Sequence, residues 1–121
     1  MPIISNSLFA VAIDCADAAA LAQFWADVLG RQVAAGRTSE RAVLLAGGRD
    51  ISEPCFVFNQ VPEAKIVKNR LHLDLISDTF GAEAERLLRL GARRLRDLQS
   101  GENRWTTFAD IEGNEFDLIA G

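Results

Sequence analysis

The stretch Arg70-Leu71-His72-Leu73-Asp74-Leu75-Ile76 lies just past the middle of the 121-residue chain and alternates leucine with polar residues. A period of two marks a strand with one buried face. It predicts Leu71, Leu73 and Leu75 against a core, with His72 and Asp74 together on the opposite face. His72 is the only histidine in the chain. An imidazole two residues from a carboxylate is either the floor of a site or a polar pair on a wet surface, and the stretch leaves both open.

Downstream, Asp78 or Thr79 caps a helix whose apolar stripe is Phe80, Ala84, Leu87 and Leu88, and Gly91 ends it. Strands are predicted over Arg93 to Leu98, Arg104 to Asp110 and Glu115 to Ala120. Between the last two, Ile111 to Asn114 is a tight turn in which Gly113 supplies a positive φ. Upstream, Leu8 to Cys15 reads as a strand. Asp17 then caps a helix with Leu21, Phe24, Trp25, Val28 and Leu29 at helical spacing, stopped by Gly30. Arg31 to Ala35, Arg41 to Ala46 and Cys55 to Gln60 are further strands, with a loop over Gly47 to Asp50. Residues 61–69 form a connector carrying Lys65 and Lys68: a solvated linker, or a basic lip that attracts an anionic ligand. Strand, helix and three strands thus recur with a period of about 61 residues. The fold class is α+β, one domain over 1–121, with module 1 at 7–60, the linker at 61–69 and module 2 at 70–121.

Apolar residues make up 49% and charged residues 25% of the chain, the balance of a globular protein with a real core. A net charge of −4 argues against a nucleic-acid partner, because phosphate contacts need a basic face. No apolar run approaches the roughly 20 residues of a membrane span. The N-terminus lacks the basic and hydrophobic regions of a signal peptide, and Cys15 and Cys55 match no metal-binding spacing, so the expected location is cytoplasmic with both thiols reduced. Open sheet edges point to a homodimer. Trp25 falls on the apolar stripe of its helix and reads as core. Trp105 and Phe108 have opposite parity on one strand, while Phe56 and Phe58 share a face. Phe58, Trp105 and Phe108 are therefore the aromatic candidates for lining a site that binds a small organic molecule.

The segments Ile13-Asp14-Cys15-Ala16-Asp17, Leu21-Ala22-Gln23-Phe24-Trp25 with Val28-Leu29-Gly30, Lys68 to Leu75, and Asp110-Ile111-Glu112-Gly113-Asn114-Glu115-Phe116-Asp117-Leu118 occur in the order found in one family. Together they resemble the vicinal oxygen chelate superfamily, which includes glyoxalase I, extradiol dioxygenases, and fosfomycin- and bleomycin-resistance proteins. The resemblance implies two βαβββ modules forming a curved mixed sheet around a cup. It also implies a divalent metal on four side chains, one from the first and one from the last strand of each module. Carried over, those places fall at Ala10, Asn59, His72 and Asp117. Ala10 has no donor atom, so the metal set reduces to His72, Asp117 and Asn59, with Asp74 on the same face as a replacement. His72, Asp74 and Asp117 are the catalytic candidates, and Asn59 joins the aromatic residues as a ligand contact. Losing the first ligand argues against glyoxalase I activity, and a single histidine argues against extradiol cleavage. Three readings follow: a glyoxalase-like protein of unassigned reaction, a non-catalytic sequestering protein, and a metal-dependent lyase or isomerase with a replacement ligand set.

Overall fold

The computed structural model describes residues 3–47 and 53–121. From residue 48 onward, the loop expected over Gly47 to Asp50 lies outside the described residues. The chain divides into two compact units, Met1–Pro62 and Glu63–Gly121. No helix among the described residues is long and apolar enough to cross a membrane.

In the first unit, β1 (Ala10–Cys15) leads to α1 (Ala18–Leu29), β2 (Arg41–Leu44) and β3 (Cys55–Gln60). The Asp17 carboxylate accepts from the Ala20 amide at 3.2 Å, satisfying a free donor of the first turn of α1. Gly30, at φ +64°, gives the left-handed residue that closes its last turn. The strands pair in the order β1-β3-β2, β1 parallel to β3 and β2 antiparallel to it. One face of α1 buries Leu21, Phe24, Trp25 and Val28. Trp25 meets Phe56 edge-on at 6.4 Å, and Phe56 meets Phe58 at 6.3 Å, so the even-numbered side of β3 faces the helix.

The strand expected over Arg31 to Ala35 shrinks to a single bridge, Val33 to Leu44. The Leu45 amide donates to the Gln32 carbonyl at 2.9 Å and the Ala34 amide to the Val43 carbonyl at 2.8 Å on either side of that bridge, and Arg31 before it is buried. Its Nε donates to the Leu45 carbonyl at 2.8 Å, its Nη2 to the Pro54 carbonyl at 2.7 Å, and its guanidinium lies over the Phe56 ring. Gly36, at φ +86°, then bends the chain back toward β2.

The second unit repeats the order with one more strand: β4 (Leu73–Ser77), α2 (Phe80–Leu90), β5 (Arg93–Ser100), β6 (Asn103–Ala109) and β7 (Glu115–Ala120). The sheet runs β4-β7-β6-β5, with β4 parallel to β7 and the rest antiparallel. Phe108, Phe116, Leu118 and Thr106 are buried on one face, and the Phe108 and Phe116 rings stack at 5.7 Å. Arg104, of the same parity, lies over Phe80 of α2, which identifies this as the helix side. Thr79 occupies the cap position of α2 without a side-chain hydrogen bond to the helix backbone, a weaker start than that of α1.

A β-bulge interrupts the β5–β6 pairing between Arg94 and Arg96. It leaves Arg94 opposite Phe108 and Asp97 opposite Thr106, both on the helix side. There the Thr106 hydroxyl donates to Asp97 at 2.7 Å and Arg94 donates to the same oxygen at 2.8 Å. The Thr106 hydrogen bond, then the Arg94 guanidinium, hold the Asp97 carboxyl below the ordinary carboxylate range.

Because the folded value is depressed, the stability contributed by Asp97 is present above its unfolded pKa and is lost as pH falls through the folded one. Urea unfolding of wild type and Asp97→Asn should therefore show a deficit in the variant near neutral pH that closes on acidification. Curves that stay parallel down to about pH 3 would remove this role.

Candidate functional site

The opposite face of the second sheet carries the polar cluster. Asp74 of β4 stands in register with Asp117 of β7, and Asp117 with Thr107 of β6. Two carboxylates directly opposite on neighbouring strands repel, so the pair needs a positive partner or a donor to be comfortable. Thr107 supplies a donor: its buried hydroxyl gives a 2.6 Å hydrogen bond to Asp117 Oδ1. His72 Nδ1 lies 2.8 Å from Asp74 Oδ1 and 3.9 Å from Asp117 Oδ2.

Two devices place these groups. The β6–β7 turn is built on Asp110, whose Oδ1 accepts from the Glu112 and Asn114 amides at 2.9 and 3.0 Å, with Gly113 at φ +88°. That turn sets which residue of β7 meets Thr107. The other device is Glu115, which receives the Asn69 amide at 3.1 Å and an ion pair from Lys65 at 3.0 Å. Desolvation pushes the Glu115 carboxyl up, but the Asn69 amide and the Lys65 ammonium outweigh it and hold the pKa below the usual range. Residues 65–69 are thus fastened to the start of β7, and the chain passes from Asn69 through His72 into β4.

One ligand atom from each of His72, Asp74 and Asp117 lies within 4.8 Å of the others. Donors around one first-row divalent ion, each at about 2.0–2.2 Å, stand about 3–4 Å apart, so a small closure would gather them. Imidazole plus two carboxylates suits manganese, iron or zinc and leaves coordination positions open to a ligand. Their side-chain exposures of 39%, 49% and 17% leave the group reachable from solvent and Asp117 the best anchored.

The sequence-derived candidates divide. His72, Asp74 and Asp117 come together. Trp105 shares their face, because it pairs with Ile119, two residues from Asp117 on the same strand. Phe108 and Phe58 offer no surface to a ligand: each is fully buried on the helix side of its sheet, Phe108 against Phe116 and Phe58 beside Phe56. Asn59 belongs to the first unit, paired with Asp14 and Arg41. The position matching Asp117 in that unit is Val57, which pairs with Ala12 as Asp117 pairs with Asp74. Ala10, one pair earlier, matches His72, so the first unit's counterparts of the trio are Ala10, Ala12 and Val57. Leu71, expected in the core, is 87% exposed, because the strand begins only at Leu73. Two residues of this region were not candidates from sequence: Thr107 and Glu115. Thr107 carried a legible signal, being a strand threonine of the right parity to meet Asp117 across the Gly113 turn.

A family model described as a glyoxalase-like domain matches residues 10–119. A glyoxalase/bleomycin resistance protein/dioxygenase family enzyme from Burkholderia phytofirmans PsJN is similar in structure, at 20% identity and a TM-score of 0.72, covering 92% of this chain and 95% of that one. The fosfomycin resistance protein FosX from Mesorhizobium loti matches at 19% identity and a TM-score of 0.70, covering 98% and 94%. A variant of FosX from Listeria monocytogenes, in complex with Mn(II) and 1S,2S-dihydroxypropylphosphonic acid, matches at 17% identity and a TM-score of 0.75, covering 98% and 92%. No curated protein matches the chain. At these identities the structural likeness establishes the fold.

With Phe108 assigned to the core, Phe108→Ala should cost about 3–5 kcal/mol in urea unfolding, and Phe108→Leu clearly less. A loss below about 1 kcal/mol for the alanine variant would contradict that assignment.

Proposed function

The chain belongs to the glyoxalase-like domain family, and we propose that within it this protein holds a divalent cation on His72, Asp74 and Asp117 and presents it to a small organic molecule. The convergence of these donors, with Thr107 behind Asp117, carries the reading. The two in-register carboxylates also favour a cation between them. A similar structure with bound Mn(II), that of the Listeria FosX variant, supports it further.

A bound divalent ion would supply Lewis acidity to a ligand oxygen. The chain's own residues do the rest. Asp117 is oriented through its Oδ1 by Thr107, which leaves Oδ2 directed at His72. His72 and Asp74 are hydrogen-bonded to each other, so each holds the other in place toward the ligand. The reaction class that fits is a metal-dependent lyase or isomerase using this replacement ligand set. Glyoxalase I activity is disfavoured, since Ala10, where the resemblance implies the first metal ligand, has no donor atom. A homodimer belongs to the same reading, supported by the edge position of β4 in its sheet among the described residues. The openness of His72 and Asp74 favours a second reading, sequestration of a ligand without turnover.

Protein stripped with chelator and titrated with Mn(II), the free ion being followed by electron paramagnetic resonance, should take up about one ion per chain. His72→Ala and Asp117→Ala should abolish uptake, and Thr107→Val should weaken it about tenfold by releasing Asp117. No uptake of Mn(II), Zn(II) or Fe(II) by the wild type would overturn the metal reading. Uptake without turnover on any small oxygenated electrophile tested would favour sequestration.

A further inference from the structure

We propose that the site takes an organic anion, and that Arg96 is the residue that selects it; this rests on the same face of the second unit as the proposed function. The bulge in β5 is the starting observation. Strict alternation from Arg94, which faces the helix side opposite Phe108, would place Arg96 on that side as well. The extra residue reverses the parity and sets Arg96 opposite Thr107. Bulges commonly re-aim a side chain beside a functional site. Arg96 therefore ends one cross-strand row that continues through Thr107 and Asp117 to Asp74.

Arg96 is exposed, and its guanidinium has no ion pair or hydrogen bond among the described residues. Of the other arginines of this unit, Arg94 pairs with Asp97, Arg86 with Glu83, and Arg104 lies over the Phe80 ring, while Arg93, also exposed on β5, stands opposite Ala109 and so outside the row that holds Thr107 and Asp117. Two strand spacings of about 4.8 Å put the Arg96 backbone about 10 Å from that of Asp117. A small molecule bridging that gap would touch the carboxylate cluster at one end and the guanidinium at the other. The next row along the same face is apolar, running Leu98, Trp105, Ile119 and Ile76. The ligand this pattern describes has an oxyanion for the planar guanidinium fork, an apolar body for Trp105 and its neighbours, and an oxygen directed at His72, Asp74 and Asp117. The net charge of −4 makes bulk attraction of anions unavailable, so recognition must be local.

3-Phenylpropionate and its neutral analogue 3-phenylpropionamide test the idea by isothermal titration, on chelator-stripped and on Mn(II)-supplied protein. Wild type should prefer the acid over the amide by about tenfold or more in at least one of these states. Arg96→Gln should erase that preference, while Arg89→Gln, an equal charge loss on α2, should keep it. Mn(II) uptake by Arg96→Gln should match wild type. An acid preference that survives in Arg96→Gln, or no preference in wild type, overturns the assignment. Failure of Mn(II) uptake in every variant would strike the metal reading alone, since the Arg96 effect is read separately on the stripped protein.

Discussion

The carboxylate of Asp110 is buried at the end of β6, where it receives the backbone of the following turn and the Asn114 side chain. The Asn114 carbonyl in turn accepts from the Asp110 amide at 2.9 Å, so the turn closes in both directions. Everything on the site face depends on the count of residues in that turn. A slip of one residue would carry Asp117 to the helix side and bring Phe116 and Leu118 out opposite Thr107. The repulsion between Asp74 and Asp117 would then vanish, along with any reason for a cation to bind. Burial of Phe116 and Leu118 opposes the slip as strongly as the turn does, and the two constraints agree.

The two units share a strand order and differ in what they do with it. In each, a parallel pair at the sheet edge joins the first strand to the last. In the second unit the exposed side of that pair bears His72, Asp74 and Asp117. At the matching positions of the first stand Ala10, Ala12 and Val57, small or apolar side chains that offer no donor. Helix packing is kept in both, through the Trp25 and Phe56 contact in one and Leu87, Phe108 and Phe116 in the other. The core, which each unit needs in order to fold, is retained on both sides of the duplication, while the polar trio is present on one.

How far the sequence could be read follows from the same division. Both helices and their ends were legible because Asp17, Gly30 and Gly91 act through local backbone geometry. Strands β3 and β7 were legible because alternation and turn residues agree there. The residues 31–35 misled because an arginine on a strand pattern is read as exposed, and only tertiary structure reveals carbonyls waiting to bury it. Leu71 misled because Glu115, distant in sequence, holds the preceding segment and delays the start of β4. Phe58 and Phe108 were proposed as ligand contacts from aromatic character and a strand parity that left open which side each would face. Their parity already pointed to the helix side once Phe116 and Leu118 were taken as core. Asn59 was placed by the family resemblance, whereas the pairing of β3 with β1 sets Val57 at the position matching Asp117. The bulge at Leu95 left no mark in the sequence, and the position of Arg96 was illegible with it.

Thr107 shows why a neutral donor, and not a cation, belongs between the two carboxylates and the arginine of β5. A lysine or arginine at that place would form an ion pair with Asp117 and cancel the charge that the trio presents. Apolar valine would leave Asp117 Oδ1 without its donor, free to turn away from His72. The hydroxyl satisfies one oxygen at 2.6 Å and leaves the negative charge in place. Its β-branched shape suits a central strand, and its buried position keeps the hydrogen bond out of competition with water. The face therefore keeps acid on β4 and β7 and base on β5, separated by a residue that orients one without neutralising either.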